Sequence, residues 1–275
     1  MQIITLLSDW GEKDYYVSIV KGKIYEKIPE VTILDICHQV KKFDIIQAAF
    51  ILKNTYSFFP QGTIHIVGVN DIASPKMPHI VVKANNHYFI GADNGIFSLL
   101  FENEDCQVWE IKVYQESNVY TFPSKDLFPK VAALLIQKEP MENIGYPSHL
   151  QKKITPTQPA FTYNKNEEGE IIGGSIKGQV IYIDDYGNVL TNITESIFRE
   201  YASRFGHFQI KTRPSASGPD EVIKIISKAY QDVREAELCA LFLENHHLEI
   251  SLNQGHAASL MGFEIGSPVT VLFKV

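Results

Sequence analysis

Short apolar runs predict the strands of the first half of the chain. Residues 2–7 and 63–69 are apolar and rich in β-branched side chains, as in buried strands. Residues 31–36 have the same character. Residues 79–91 read as two strands joined by an Asn-Asn turn. The pattern therefore predicts at least five strands before the middle of the chain.

Helical patterns separate these runs. Apolar residues recur at helical spacing over 17–28 and again over 44–53, where Asp44 suits the N-terminal turn. A third helix is predicted over 126–138, with Pro129 in its first turn. Alternation of strands and helices is typical of an α/β fold, in which helices cover a layered sheet.

The second half has a different pattern. We expect an α/β N-terminal domain over 1–152, a linker or surface loop over 153–174, and a mainly β, barrel-like C-terminal domain over 175–275. The C-terminal prediction depends on five short strand signals, at 179–193, 206–212, 237–244, 247–253 and 267–273.

Charge and composition narrow the possible partners. The 275 residues carry a net charge of −7 and no basic run, which argues against a general nucleic-acid binder and favours a small cationic ligand. The chain has neither a signal-peptide pattern nor an apolar stretch long enough for a membrane span. Its three cysteines lie far apart and predict reduced thiols. We therefore expect a cytoplasmic protein that binds neither nucleic acid nor membrane.

The strongest local signal is the acidic loop after the first strand. Ligands of open α/β sheets bind beyond the carboxyl ends of strands, where Asp9 and Asp14 lie. A carboxylate can accept two hydrogen bonds from a ribose diol, and a second carboxylate can hold an ammonium group. The alternative is a helix N-cap followed by a solvated turn.

A second signal is the run DDYGN at residues 184–188. Asp184 and Asn188 flank the aromatic Tyr186, a set that suits a purine or an amino-acid ligand. The alternative is a polar turn without function. The sequence has no HExxH motif, dinucleotide fingerprint or phosphate loop, so we predict no metal and no cofactor.

Seven segments in order resemble one family, the S-adenosylmethionine (SAM) hydroxide adenosyltransferases, or SAM hydrolases, which are related to fluorinase and chlorinase. The segments are SDWGEKDYYV (8–17), KGKIYEKIPEVTILDICHQVKKFDI (21–45), FPQGTIHIVGV (59–69), FIGADNGIF (89–97), TFPSKDLFPKVAALL (121–135), IDDYGNVLTNI (183–193) and HLEISLNQGHAA (247–258).

The resemblance implies a homotrimer in which SAM lies between one subunit's N-terminal domain and its neighbour's C-terminal domain. It implies that Asp9 binds the ribose hydroxyls, and that Phe43 lies beside the reacting carbon. The remaining implied contacts are Asp14, Tyr16 and Asp184 at the methionine ammonium, Asn188 at the adenine edge, and Tyr186 and Tyr230 as aromatic neighbours.

The chain departs from the family where water is activated. The resemblance implies an Asp, an Arg and a His, but Asn70, Met77 and Pro123 stand at those positions. An amide nitrogen is not basic, so Asn70 cannot act as a general base.

Three explanations remain open. Local substitutes could act, since Asp71, Lys76 and Lys125 lie nearby in sequence and a shift of one residue would bring Asp71 into place. Another nucleophile, such as a halide, could be used, with Ser124 as its contact. The chain could instead bind SAM or adenosine without turnover. The sequence therefore predicts a SAM-binding protein that forms adenosine and methionine, or a non-catalytic relative.

Overall fold

The chain folds into two compact units, Met1–Pro156 and Thr157–Val275. The structure, a computed structural model, describes residues 2–101, 105–118, 120–211 and 222–274. No helix in these ranges is both long and apolar enough to cross a membrane.

The first unit is built on a seven-stranded mixed sheet with the strand order β2-β1-β3-β5-β4-β6-β7. Strands β1, β2, β3 and β5 pair in parallel, and β4, β6 and β7 join antiparallel. The strands are β1 (Ile3–Ser8), β2 (Thr32–Cys37), β3 (Ile64–Gly68), β4 (His79–Ala84), β5 (His87–Ala92), β6 (Gln107–Ile111) and β7 (Gly145–Ser148).

Helices cover both faces of this sheet. They are α1 (Tyr16–Lys27), α2 (Ile45–Lys53), α3 (Ile96–Leu100), α4 (Pro123–Ile136) and α5 (Met141–Ile144), with a 3₁₀ turn at Tyr56–Phe58. Successive β1 side chains enter opposite cores: Leu6 packs with α1 and α4, and Leu7 packs with α2 and α3. This arrangement confirms the predicted α/β layers.

The N-termini of α2 and α4 can be compared with the helix starts that the sequence predicts. Asp44 caps α2 as expected, since its carboxylate accepts hydrogen bonds from the backbone N–H groups of Ile46 and Gln47. The helix predicted over 126–138 begins earlier, because Pro123 occupies its first turn. Pro129 therefore lies inside α4, and the prediction that it occupies the first turn was wrong.

A buried polar chain crosses the middle of the sheet. The Thr5 hydroxyl lies 2.7 Å from His65 Nδ1, and His65 Nε2 lies 3.1 Å from His87 Nδ1. Burial lowers the pKa of His65 to about 3, and the neighbouring His87 acts in the same direction. The imidazole of His65 is therefore neutral at physiological pH, and β1, β3 and β5 are linked by side chains as well as backbone.

The second unit is an antiparallel, nearly closed barrel with the strand order β12-β11-β15-β9-β10-β14-β13, and β8 pairs with β9. Its strands are β8 (Ala160–Lys165), β9 (Ile171–Ile183), β10 (Val189–Thr194), β11 (His207–Lys211), β12 (Val222–Ile223), β13 (Leu238–Phe242), β14 (His247–Leu252) and β15 (Pro268–Lys274).

The two end strands of this sheet approach each other. The backbone N–H of Ser227, just beyond β12, donates to the carbonyl of Ala240 in β13 at 2.8 Å. Helices α6 (Glu195–Phe205) and α7 (Ala257–Met261) contribute buried side chains to the barrel core. This confirms the predicted mainly β, barrel-like C-terminal region.

The segment 153–174 is not only a linker or surface loop, as the sequence predicted. It contains β8 and the first residues of β9. All six β8 residues are exposed, so the strand lacks the alternation of buried and exposed side chains that marks a strand in a sequence. Its pairing with β9 stabilises it instead.

Candidate functional site

The carboxyl ends of three parallel strands bring polar residues to one edge of the first sheet. Strands β1, β3 and β5 are neighbours in the sheet. Asp9 follows β1 directly, Asp71 follows β3 after a short turn, and Asn94 follows β5. The backbone N–H of Asp9 donates to the carbonyl of Gly68 at 3.4 Å. This edge is where ligands of open α/β sheets bind.

Asp9 is buried, with 7% of its surface exposed. Its carboxylate accepts a hydrogen bond from the backbone N–H of Phe43 at 2.9 Å, and its carbonyl accepts one from the Lys42 ammonium. Phe43 has a left-handed backbone (φ 64°) and a side chain that is 68% exposed. The 42–43 turn thus fixes Asp9 and presents an aromatic ring beside it.

Asp71 and Ser124 form a buried pair in this edge. The Ser124 hydroxyl, in the first turn of α4, donates to the Asp71 carboxylate, and Asp71 is 7% exposed. Burial raises the pKa of the Asp71 carboxyl to about 6; the charge of Asp9 acts in the same direction, and the Ser124 hydrogen bond opposes it. A carboxyl group with such a pKa suits proton transfer near neutral pH.

The loop that carries Asp71 is held by its neighbours. The His79 ring bonds the Asp71 carbonyl at 2.8 Å, and the Asn94 amide donates to the carbonyls of Val69 and Asn70 at 2.9 and 3.1 Å. Asn70 has a left-handed backbone (φ 46°), a conformation that asparagine tolerates. These contacts turn the chain so that Asp71, the residue after Asn70, bonds Ser124.

Trp10 packs against the same pair. A Cβ built on Gly68 would lie 2.8 Å from Trp10 Cε2 and 2.9 Å from Ser124 Oγ. Glycine at the end of β3 therefore makes room for the indole and the hydroxyl together. No motif in the sequence marks Trp10 as a site residue, although it directly follows Asp9.

We expect Gly68→Ala to destabilise the protein by about 1–3 kcal/mol, since overpacking of this size forces shifts in the surrounding side chains. Urea denaturation measures the change. Gly22→Ala, in α1, is the matched control because a Cβ there meets nothing within 4 Å, and an alanine inside a helix stabilises by about 0.5–1 kcal/mol relative to glycine. Equal stability of Gly68→Ala and the parent protein would contradict the close packing.

The structure separates the other candidates of the first unit from the Asp71–Ser124 pair. Lys76 is exposed in a turn closed by backbone bonds between Ser74 and Met77. Asp14 is exposed, and Tyr16 begins α1 with its ring edge-on to Phe122 at 5.4 Å. The exposed Asp14 leaves its carboxylate accessible to solvent.

In the second unit, Asp184 and Asn188 are joined within the β9–β10 turn. The Asp184 carboxylate accepts from the backbone N–H of Asn188 at 2.8 Å and from its side-chain amide at 3.0 Å. Gly187 has φ 80°, and a side chain there would meet the ring of His256. Tyr186 is exposed at the tip of this turn. The turn therefore holds two of the predicted residues rigidly and presents the third.

Tyr230 bonds a glutamate that the sequence analysis missed. The Tyr230 hydroxyl donates to Glu249 at 2.9 Å, and the Ser251 hydroxyl donates to the same carboxylate at 2.6 Å. Glu249 is 2% exposed, and burial raises its pKa, with Asp184 acting in the same direction. Alternation of apolar and polar residues along β14 is consistent with a solvent-facing Glu249, and no sequence signal indicates that this face is covered.

Among the described residues, no group of three or more His, Cys, Asp or Glu side chains could hold a metal ion. The side chains that the structure brings to the first unit's edge include two carboxylates, a hydroxyl and aromatic rings. Such a set can bind a polar cation and accept a proton.

Comparison with known proteins gives matches to both units. The model of the SAM hydroxide adenosyltransferase N-terminal domain matches residues 4–145, and that of the C-terminal domain matches residues 178–270. The (R)-S-adenosyl-L-methionine hydrolase of Methanocaldococcus jannaschii is 26% identical, over 99% of this chain and 97% of that protein. The fluorinase of Nocardia brasiliensis is 21% identical, over 98% of this chain and 96% of that protein.

A solved structure has a similar fold over almost the whole chain. The crystal structure of an uncharacterized conserved protein from Thermotoga maritima superposes with a TM-score of 0.81 and 28% identity, covering 98% of this chain and 99% of that one.

Proposed function

The chain belongs to the SAM hydroxide adenosyltransferase family, and we propose that it hydrolyses SAM to adenosine and methionine. The observation that carries the proposal is the buried Asp71–Ser124 pair beside Asp9. It supplies a carboxylate of suitable pKa where the family's water-activating Asp is replaced by Asn70. The activity of the M. jannaschii relative, named a SAM hydrolase, supports the same reaction.

The proposed binding mode uses both units. Asp9 accepts hydrogen bonds from the ribose hydroxyls, and Phe43 lies beside the reacting carbon. Asp184 of a neighbouring subunit contributes to the ammonium site, and the assembly proposed is the homotrimer that the family resemblance implies. The net charge of −7 favours a cationic substrate over an anionic one. The compartment proposed for this activity is the cytoplasm.

The reaction needs little help at the leaving group. The oxygen of water forms a bond to the ribose 5′ carbon, and the bond from that carbon to the sulfonium sulfur breaks. The electron pair of the broken bond goes to sulfur, which leaves as the neutral thioether of methionine. Asp71 takes the proton from the water, directly or through the Ser124 hydroxyl. Orientation and partial desolvation of the water are what the protein supplies.

The charge of the site favours water over a halide. Asp71 and Asp9 interact electrostatically, and both are acidic and buried. An anion placed beside Asp71 would experience repulsion from both carboxylates, whereas a neutral water donates a hydrogen bond to one of them. This argues against halide-dependent adenosyl transfer, although Ser124 alone would suit an anion.

A second candidate function is the binding of SAM or adenosine without turnover. Asn70, Met77 and Pro123 stand in place of the family's Asp, Arg and His, and this loss favours it. The proposed ligand contacts at Asp9 and Asp184 would remain.

We expect the purified protein to release adenosine from SAM, with a rate that rises with pH through about 6 and then levels off, because Asp71 must be ionised to accept a proton. Chromatography of the products between pH 5 and pH 8 measures this. If no adenosine is detected above the buffer background, with or without halides, the proposal of hydrolysis is rejected. Heat of binding in calorimetry would then favour the second candidate.

A further inference from the structure

Trp10 is fixed on three sides. Its ring stacks on His38, with centroids 5.9 Å apart and planes 17° apart, and meets the Phe122 ring edge-on at 5.4 Å. His38 is itself held, since its Nδ1 lies 2.7 Å from the hydroxyl of Ser8, and both residues are buried. The third side is the backbone of Gly68. An aromatic ring with these neighbours has little freedom to move aside.

The fixed ring lies beside the Asp71–Ser124 pair. Trp10 Cε2 and Ser124 Oγ both come within 3 Å of the point where a Gly68 Cβ would lie, at 2.8 and 2.9 Å. The Ser124 hydroxyl in turn donates to Asp71. The edge of the indole therefore lies close to the hydroxyl that bonds the proposed base.

We propose that Trp10 determines which nucleophile reacts, by limiting the space beside Asp71 and Ser124 to a molecule the size of water. The inference rests on the proposed hydrolysis and adds a specificity-determining residue to it. A rigid wall discriminates by size because a larger nucleophile must displace packed atoms. One additional methyl or methylene group is typically rejected about 10–200-fold in such a pocket.

Methanol is the matched probe, because it is neutral like water and differs by one methyl group. Its oxygen would form the bond to the ribose 5′ carbon as the carbon–sulfur bond breaks. Methionine would leave with the electron pair, and the methanol proton would go to Asp71. The products are 5′-O-methyladenosine and methionine. The same base and leaving group serve both nucleophiles, so a change in the product ratio between variants in the same buffer reports a change in the available space.

The experiment compares Trp10→Ala, Trp10→Phe and the parent protein in buffer that contains methanol. We expect the ratio of 5′-O-methyladenosine to adenosine to rise about tenfold or more in Trp10→Ala, by the size discrimination given above, and less in Trp10→Phe. Trp109→Phe is the matched control, since Trp109 lies in β6, which is separated from β3 by β5 and β4, and pairs there with Val81 and Pro147. Its product ratio should equal that of the parent.

The outcomes separate the two proposals. Adenosine formation with the parent's product ratio in both Trp10 variants would overturn the role of Trp10 and leave hydrolysis intact. If Trp10→Ala does not fold, the Trp10→Phe ratio alone decides, and an unchanged ratio there overturns the inference. A parent protein that forms neither product overturns hydrolysis, and the size limit with it.

Discussion

Asp71→Asn is expected to abolish turnover and, at pH 8, to raise the free energy of unfolding. The asparagine amide cannot accept the proton from water, so adenosine formation should fall by a factor of at least 100, in line with the contribution of a general base. The amide oxygen can still accept the hydrogen bond from Ser124. The stability gain follows because burial opposes the ionised form of Asp71.

The sign of the stability change depends on pH. The folded-state pKa of about 6 lies above the usual aspartate pKa of 3.8, so the ionised carboxylate destabilises the fold above pH 6. At about 1.4 kcal/mol per pKa unit, the gain in Asp71→Asn at pH 8 is up to about 3 kcal/mol. The gain should shrink as pH falls from 6 towards 4, where the native carboxyl becomes protonated. Urea denaturation at both ends of this range measures it.

Asp126→Asn is the matched control for Asp71→Asn. Asp126 is a similarly buried aspartate in α4, but its carboxylate accepts from Ser117 and pairs with Lys125 instead of bonding Ser124. Turnover should survive in this variant. Equal turnover in Asp71→Asn and the parent protein would show that another group accepts the proton, and the proposed role of Asp71 would be wrong.

Asp9→Ala is expected to remove the stabilisation that SAM or adenosine gives the protein. A ligand that binds only the folded state raises the melting temperature, and the rise grows with the logarithm of the ligand concentration relative to the dissociation constant. Two hydrogen bonds from a ribose diol to a charged carboxylate contribute about 1.5–3 kcal/mol each. The dissociation constant should therefore rise on the order of 100-fold or more. Thermal unfolding over a range of ligand concentrations measures this shift.

Asp44→Ala provides the comparison for Asp9→Ala. It removes a carboxylate that caps α2, and the loss of such a cap costs about 1 kcal/mol of stability. Its melting temperature should fall without ligand, but the shift on adding ligand should be retained. If Asp9→Ala retained the full ligand shift, Asp9 would not contact the ribose.

Much of the fold follows from local patterns in the sequence. Strands β1 and β3 are continuous apolar runs buried on both faces, which leaves few alternatives. Strand β8 could not be found in this way, because it is exposed at every position and depends on β9 for its pairing. Helix α3 has only five residues, too few for a helical period to emerge. The family predicted from ordered motifs is confirmed, since both domain models match.

The site was less accessible to sequence reasoning. Asp9 could be selected because it follows an obvious strand. Asp71 was an open alternative to Asn70, and only the folded loop brings it to Ser124, through contacts with Asn94 and His79. Glu249 was missed because strand alternation shows only which face of the strand a residue lies on. It does not show that a separate 3₁₀ turn places Tyr230 against that face.

The polar chain of Thr5, His65 and His87 has a consequence for the opposite end of the sheet. If β3 slipped by one residue against β1, His65 would move to the other face and leave buried nitrogen atoms unbonded. These hydrogen-bonded side chains therefore fix the register of β1, β3 and β5. Asp9 and Asp71 come close to each other only when β1 and β3 pair in this register. Thr5, His65 and His87 therefore help to position the two carboxylates, although they are not part of the proposed site.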